Sequence, residues 1–409
     1  MSTLTITPLT RVEGLGSVTL HLDGNRLDRV ELQLLEPPRL FEALLQGRKV
    51  EEVPLLVSRI CAICATPHAL AAILALEQAL DIRPPPAAQL VRELALLGDL
   101  IQSHALHLFA LVLPDLRDAD SLVTLLRRHD PEAAQGLALK QFGNRLQELA
   151  GGRLIHPVSL QLGGVLCCPD RTLLPQILDD SRGWRETLAT WQELFTPPVP
   201  SHGTPACGIP LAVAGRGDLT LWGDTLQGGT DTHPVTAYTD WLREQSVATS
   251  TAKRVTGPAG TWRTGALARR QLQQDTRCPK ELAIHANNSA QLEELGLGLQ
   301  RVETLCQELL ELEEHPLLQV TPRPQSGIGT IALEAPRGTL IHRYGVDDSG
   351  RIATADIITP TTINQVAIEE QLFADLSHDL PPAQLKPYAE QIVRAFDPCI
   401  SCAVHLIRR

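Results

Sequence analysis

The 409-residue chain has few aromatic residues, at 3%, and a single methionine, which is its first residue. It also lacks an excess of positive charge: 36 lysines and arginines stand against 47 aspartates and glutamates, a formal net charge of −11. That balance excludes a nucleic-acid surface as the primary role, because phosphate recognition needs concentrated positive charge. The opening MSTLTITPLTRVEG has neither a basic patch nor an apolar run, so no secretory signal is expected. Nor is there a charge-free apolar stretch of about 20 residues. The best candidate, residues 90–113, carries Arg92, Glu93, Asp99, His104 and His107, and no direct membrane span is expected. The chain therefore reads as cytoplasmic, where thiols stay reduced. Its nine cysteines are an odd number and could not all pair in any case.

What is present is ordinary for a globular chain: 43% hydrophobic and 20% charged residues, which rules out wholesale disorder. The length alone suggests two or three domains at roughly 100–200 residues each, or one large one. The N-terminal segment, about 1–36, alternates apolar and polar residues around Asp23-Gly24 and predicts β structure. Helices are predicted over 40–46, from near Cys61 through HALAAILALEQAL to Pro84-Pro85-Pro86, over 87–113, over 289–314, and at about 364–376 and 382–396. The helix over 87–113 is apolar almost all round, which places it in the core. Short strands are predicted at 330–333 and 340–344. Residues 150–285 are rich in glycine, proline and threonine and read as loops and short strands with some helix. No repeat, low-complexity run or clean linker divides the chain. The simplest architecture is α+β and mainly α, a large central helix bundle with peripheral β-hairpins and small sheets, as a single domain over 1–409.

The cysteines are unevenly distributed. Cys61/Cys64 and Cys399/Cys402 form two Cys-x-x-Cys pairs near opposite ends, while Cys167, Cys168, Cys207, Cys278 and Cys306 have no comparable spacing and read as small apolar residues. Two such pairs make a four-thiolate site of the kind that zinc, nickel or iron accepts, and spacing alone favours structural zinc. The context points elsewhere. The pairs adjoin predicted core helices of a large chain that needs no metal to fold, and a histidine lies near each pair, His68 and His405.

These residues resemble the two metal-binding signatures of nickel–iron hydrogenase large subunits: Arg59-Ile-Cys61-Ala-Ile-Cys64 with His68, and Asp397-Pro-Cys399-Ile-Ser-Cys402-Ala-Val-His405. Four more stretches agree in the family's order: Arg11-Val-Glu13-Gly14, Phe41-Glu42-Ala-Leu-Leu-Gln-Gly47-Arg48, Glu334-Ala-Pro336-Arg337-Gly338 and Thr359-Pro360-Thr361-Thr362-Ile-Asn364. The resemblance runs from residue 8 to residue 405.

It implies that all four cysteines bind nickel, with Cys64 and Cys402 also bridging to an iron that carries cyanide and carbon monoxide. Arg337 and Thr361 match residues that hydrogen-bond the cyanides, Pro336 and Pro360 shape the wall, and Asp397 and His68 lie beside the centre. Splitting dihydrogen needs a hydride acceptor and a nearby base. The resemblance assigns the base to Cys399, which passes its proton to Glu13, with Arg337 as the other candidate. Glu42, His405 and the carbonyl of Ile357 match a second site for magnesium or a similar divalent ion. Electrons leave through an iron–sulfur small subunit, then through further electron-transfer subunits. This chain has no third cysteine cluster and is expected to hold no iron–sulfur cluster itself.

The sequence departs from the family's commoner forms at Leu15, Ala62 and Ser103. Ser103-His104, in place of Asp-His, resembles the cytosolic multimeric branch that couples to soluble carriers. After His405 only Leu406-Ile-Arg-Arg409 follow, where most members have a longer tail that a protease removes. The leading expectation is thus the catalytic subunit of a reversible hydrogenase. The alternatives are a regulatory hydrogen sensor, a cysteine-poor respiratory complex I relative, against which the four cysteines argue, and a four-cysteine zinc protein.

Overall fold

The computed structural model describes residues 2–24, 26–196, 204–215, 217–273, 283–323, 325–377 and 382–404. His405 and Cys278 lie outside these residues. The architecture is α+β. A buried helical run begins at Pro86–Ala105, continues through a π-helical stretch, Leu106–Val112, and ends at Leu113–Leu116. Helices Ala65–Ala79, Pro131–Gly151 and Ala286–Glu311 pack around it, and Leu174–Thr190 lies on the last of these. The run from Pro86 to Leu116 is long and apolar enough to cross a membrane, but 83% of its most apolar window is buried inside the protein.

The closest helix contact has a plain cause. Gly98 and Gly143 face each other where Pro86–Ala105 meets Pro131–Gly151. A Cβ on Gly143 would lie 2.5 Å from the backbone nitrogen of Gln102 and 2.8 Å from the Gly98 carbonyl. Both obstacles are main chain, so the helices would have to part. Gly143→Ala is expected to destabilise the fold by about 1–3 kcal/mol, read as a lower thermal unfolding midpoint. An unchanged midpoint would remove this crossing as the reason for the glycine.

The N-terminal segment forms a three-stranded antiparallel sheet, Ser2–Ile6, Gly16–Asp23 and Arg26–Leu34, in that order. Its inner face packs Val18, Leu20, Leu32 and Leu34 against Ile368, Leu372, Ile392 and Phe396 of the C-terminal helices Pro360–Leu376 and Pro382–Ala395. Polar clamps reinforce this seam. Asp115 bonds both Arg11 and Arg394, and Arg394 also donates to the carbonyls of Thr10 and Arg11. The start of the chain is thereby held against its end.

A second antiparallel sheet pairs Gly327–Ala335, Gly338–Val346 and Ile352–Ile358, with Trp222–Gly223 on its edge. Ala335 pairs with Gly338, so Pro336 and Arg337 occupy a two-residue turn. Proline presets the first turn position. Gly338 is required after Arg337: its φ is +132°, and a Cβ there would meet the Thr264 side chain at 2.5 Å. The turn fixes Arg337 at a hairpin tip.

Several sequence expectations need correction. The helix after the first cysteine pair starts at Ala65, leaving Cys61 in irregular backbone and Cys64 as the N-cap residue. The Pro360–Leu376 helix starts four residues earlier than its apolar period suggested, because Pro360 suits the first helical position. Both predicted strands are longer than expected, and Ile352–Ile358 and the Pro131–Gly151 helix were not anticipated.

Candidate metal centre

The four paired cysteines meet. Cys61, Cys64, Cys399 and Cys402 are each at most 3% exposed, and their sulfurs all lie within 4.8 Å of one another. The Cys61–Cys399 separation is 3.4 Å, Cys64–Cys399 4.0 Å and Cys399–Cys402 2.8 Å. As bare thiols they cannot all ionise together. Burial pushes Cys399 and Cys402 well above the usual thiol range, while hydrogen bonds from Cys399 and its neighbours pull Cys61 well below it. A cation within the cluster is what would allow four thiolates to coexist.

Next to the sulfurs is a small cavity lined by Cys64, Cys399, Cys402, His68, Arg337 and Thr361, with Ala335, Leu340 and Pro360 as its apolar wall. Arg337 is 3% exposed; its Nε donates to Asp397 at 3.1 Å and its Nη1 to the Cys64 sulfur at 3.3 Å. Burial opposes its charge, but Asp397 and the cysteines hold its pKa well above the usual value. Its Nη2 is buried and has no hydrogen-bond partner among the described residues. A buried guanidinium donor left unmatched is a vacancy for an acceptor. The Thr361 hydroxyl accepts the Cys399 amide at 2.8 Å, which leaves its own proton to donate. Apolar walls, soft sulfur donors and a spare N–H donor fit a nickel–iron centre.

Glu13 reaches the same cluster from the other terminus. Its backbone bridges to Cys399, and the Ile400 amide donates to its carbonyl at 3.0 Å. Its carboxylate accepts from the Ser401 amide at 3.1 Å and from the Ser401 hydroxyl. Burial and the nearby Cys61 raise its pKa above the usual carboxylate value. Ser401 escaped notice in the sequence although it lies between the cysteines of the second pair.

The nickel-dependent hydrogenase family model matches residues 39–149 and 282–405, more than half of the chain, and a HoxL-like model matches residues 3–36. The chain belongs to the nickel-dependent hydrogenase family. It is 33% identical to the alpha chain of sulfhydrogenase 1 of Pyrococcus furiosus, covering 99% of this chain and 98% of that one. It is 30% identical to a chain of the vhu F420-non-reducing hydrogenase of Methanococcus voltae, with 91% and 97% covered. Among solved structures, an NAD+-reducing [NiFe]-hydrogenase in the H2-reduced state superimposes with a TM-score of 0.88 at 29% identity, covering 99% of this chain and all of that one. The Ni-Fe-Se hydrogenase of Desulfovibrio vulgaris Hildenborough shares the fold, with a TM-score of 0.80 at 20% identity and 99% and 100% covered. The activity general to this family is oxidoreduction of H2, and this chain is a catalytic large subunit of that kind.

Other expected site residues of this hydrogenase subunit lie further from the sulfurs. His104 bonds Glu294 at 2.8 Å in a buried network rather than facing the cysteines. Arg269 centres that network, bonding Glu294, Glu334 and the carbonyls of Ala335 and Pro336. Burial opposes the Glu294 charge, yet Arg269 holds its pKa down to about 2. Nothing in the local sequence around Arg269 marks it, although it braces the hairpin that carries Arg337. Ser103 makes no hydrogen bond to Arg337: its hydroxyl is buried and has no partner among the described residues.

Glu42 forms a second group with Glu244 and Asp356, whose carboxylate oxygens lie within 4.8 Å of one another. The Ile357 amide donates to Glu42 at 3.0 Å, and Lys253 lies 3.8 Å from Glu42 and 2.6 Å from Glu244. An all-oxygen set suits a hard divalent ion, with Lys253 offsetting part of the charge.

Proposed function

We propose that Cys61, Cys64, Cys399 and Cys402 hold a nickel–iron centre with cyanide and carbon monoxide on the iron, and that this chain catalyses reversible heterolytic cleavage of H2. The observation that carries the reading is the meeting of both cysteine pairs beneath the orphaned Arg337 Nη2. Cys64 and Cys402 are assigned as bridging ligands. When bound, the centre supplies redox chemistry and a hydride acceptor. The residues do the rest. Cys399 takes the proton, and Glu13, whose backbone bridges to Cys399 and whose carboxylate is oriented by Ser401, carries it away. Arg337, placed at the hairpin tip by Pro336 and held by Asp397, presents a donor to the iron's ligands together with Thr361, while Pro360, Ala335 and Leu340 keep water out.

We further assign Glu42, the Ile357 carbonyl and His405 to a magnesium ion, with Glu244 and Asp356 close by. Electrons pass to the iron–sulfur clusters of a partner small subunit, since among the described residues no other cysteines gather as these four do. We read residues 1–409 as one domain in a cytoplasmic complex, because Glu13 and Ser401 must meet for the site to exist.

Metal analysis of the purified complex tests this. Nickel and iron are expected at one atom of each bound by this chain, with infrared bands from cyanide and carbon monoxide. Zinc alone would sink the reading.

A further inference from the structure

Each cysteine pair sits on its own segment of chain, and one exposed side chain reaches both segments. Arg39 donates from Nη1 to the Arg59 carbonyl at 3.2 Å, and from Nη2 to the carbonyls of Ile60 and Ser401, the last at 2.7 Å. Ile60 immediately precedes Cys61, and Ser401 immediately precedes Cys402. The guanidinium therefore grips the peptide group that leads into one cysteine of each pair, across 21 residues on one side and 362 on the other. Arg337 makes a comparable bridge from the buried side, to the Cys64 sulfur and to Asp397, just ahead of Cys399.

The local chain is shaped to place this group. The guanidinium carbon of Arg39 lies 5.3 Å from the centre of the Phe41 ring, within cation–π range, and Phe41 is anchored in the core as the first residue of helix Phe41–Leu45. Leu40, between them, takes φ +53° and ψ +40°, a left-handed conformation that an L side chain adopts only at a cost. Leu40 is 44% exposed, so burial of its own side chain does not offset that strain. What the turn achieves is to fold Arg39 back over the cysteine segments. The type of cation matters too. A guanidinium is a rigid planar fork that holds several carbonyls at a set spacing, whereas an ammonium is a point charge on a flexible stem.

We infer that Arg39 is a positioning residue for the metal centre: its fork sets the spacing between the Cys61 and Cys402 segments from the outer side, so that the four thiolates meet their metals in one geometry. The inference rests on the reading that the four cysteines hold the nickel–iron centre. It extends that reading to a surface arginine outside both cysteine pairs. Groups that orient a metal's ligands without touching the metal commonly govern how firmly it is held. Without Arg39 the two segments keep Arg337 as a strap on the buried side and lose the one on the outer side.

Two variants of the purified complex test this, read by infrared spectroscopy of the carbon monoxide band and by nickel retention against a competing chelator. Arg39→Lys keeps the charge and loses the fork, and Arg39→Ala loses both. Each is expected to broaden the band, because loosened segments sample several ligand geometries, and to weaken nickel retention about 10- to 100-fold. An arginine that only stabilised the fold would lower the thermal unfolding midpoint and leave the band of the assembled centre sharp. A sharp band, or native retention, in either variant overturns the inference. If Arg39→Ala does not assemble, Arg39→Lys alone decides by its band width and retention. An unaltered complex with no carbon monoxide band at all overturns the metal reading itself, and so is told apart from failure of the clamp.

Discussion

Cys399→Ser is expected to abolish hydrogen oxidation, to below about a thousandth of the unaltered rate, because catalysis by the centre depends on this ligand. Three roles converge on this one sulfur and its residue. The sulfur lies within 4.0 Å of each of the other three cysteine sulfurs, the backbone amide is fixed by Thr361, and the residue's backbone bridges to Glu13. A serine oxygen is a hard, weakly acidic donor that would neither suit nickel nor accept the proton on the same terms. The control is Cys306→Ala. Cys306 is fully buried among Leu299, Val302 and Leu309, and burial pushes its pKa up to about 12, so it behaves as an apolar filler. It should retain near-normal turnover. The measurement is H2 uptake with an artificial electron acceptor, alongside nickel content. Equal loss in both variants would mean that the first result reported damaged folding.

Glu13→Gln is expected to slow turnover by about 10²- to 10⁴-fold, the range associated with a positioned proton carrier, while leaving nickel and iron in place. The amide matches the carboxylate in size; its oxygen can still accept from the Ser401 amide, and its NH2 can donate to the Ser401 hydroxyl oxygen. What it cannot do is hold a proton released at Cys399. Exchange between dihydrogen and deuterated water reports proton traffic directly and should fall with turnover. A variant that turns over normally would take Glu13 out of the mechanism.

Much of the site was legible because its residues lie in short, ordered stretches. Two Cys-x-x-Cys pairs together mark a shared metal, and Ala-Pro-Arg-Gly encodes its own hairpin: proline for the first turn position, glycine for the one conformation that avoids Thr264. The illegible parts depend on pairs brought together only by folding. Arg269 meets Glu334 across 65 residues and Glu294 across 25, with no spacing that could announce it. Arg39 looks like an ordinary surface arginine until folding brings Ser401 to it from 362 positions away. The Pro131–Gly151 helix was missed because its buried face includes Gly136 and Gly143, which weaken the apolar period while allowing close approach. Arg337 is held by Asp397, which lies 60 residues further along the chain.

The seam that holds Thr10 and Arg11 to Glu390 and Arg394 bears on how the molecule reaches its native state. The contact between Glu13 and Ser401 closes a loop of 388 residues, so its entropy is committed late and little local structure can prepare it. The helix bundle can form from shorter-range contacts first, with the two ends docking on it afterwards. Until they do, Cys61 and Cys64 face an incomplete pocket. The reactive part of the protein is then the last part to become native, and damage to either terminus should be felt there before the bundle registers it.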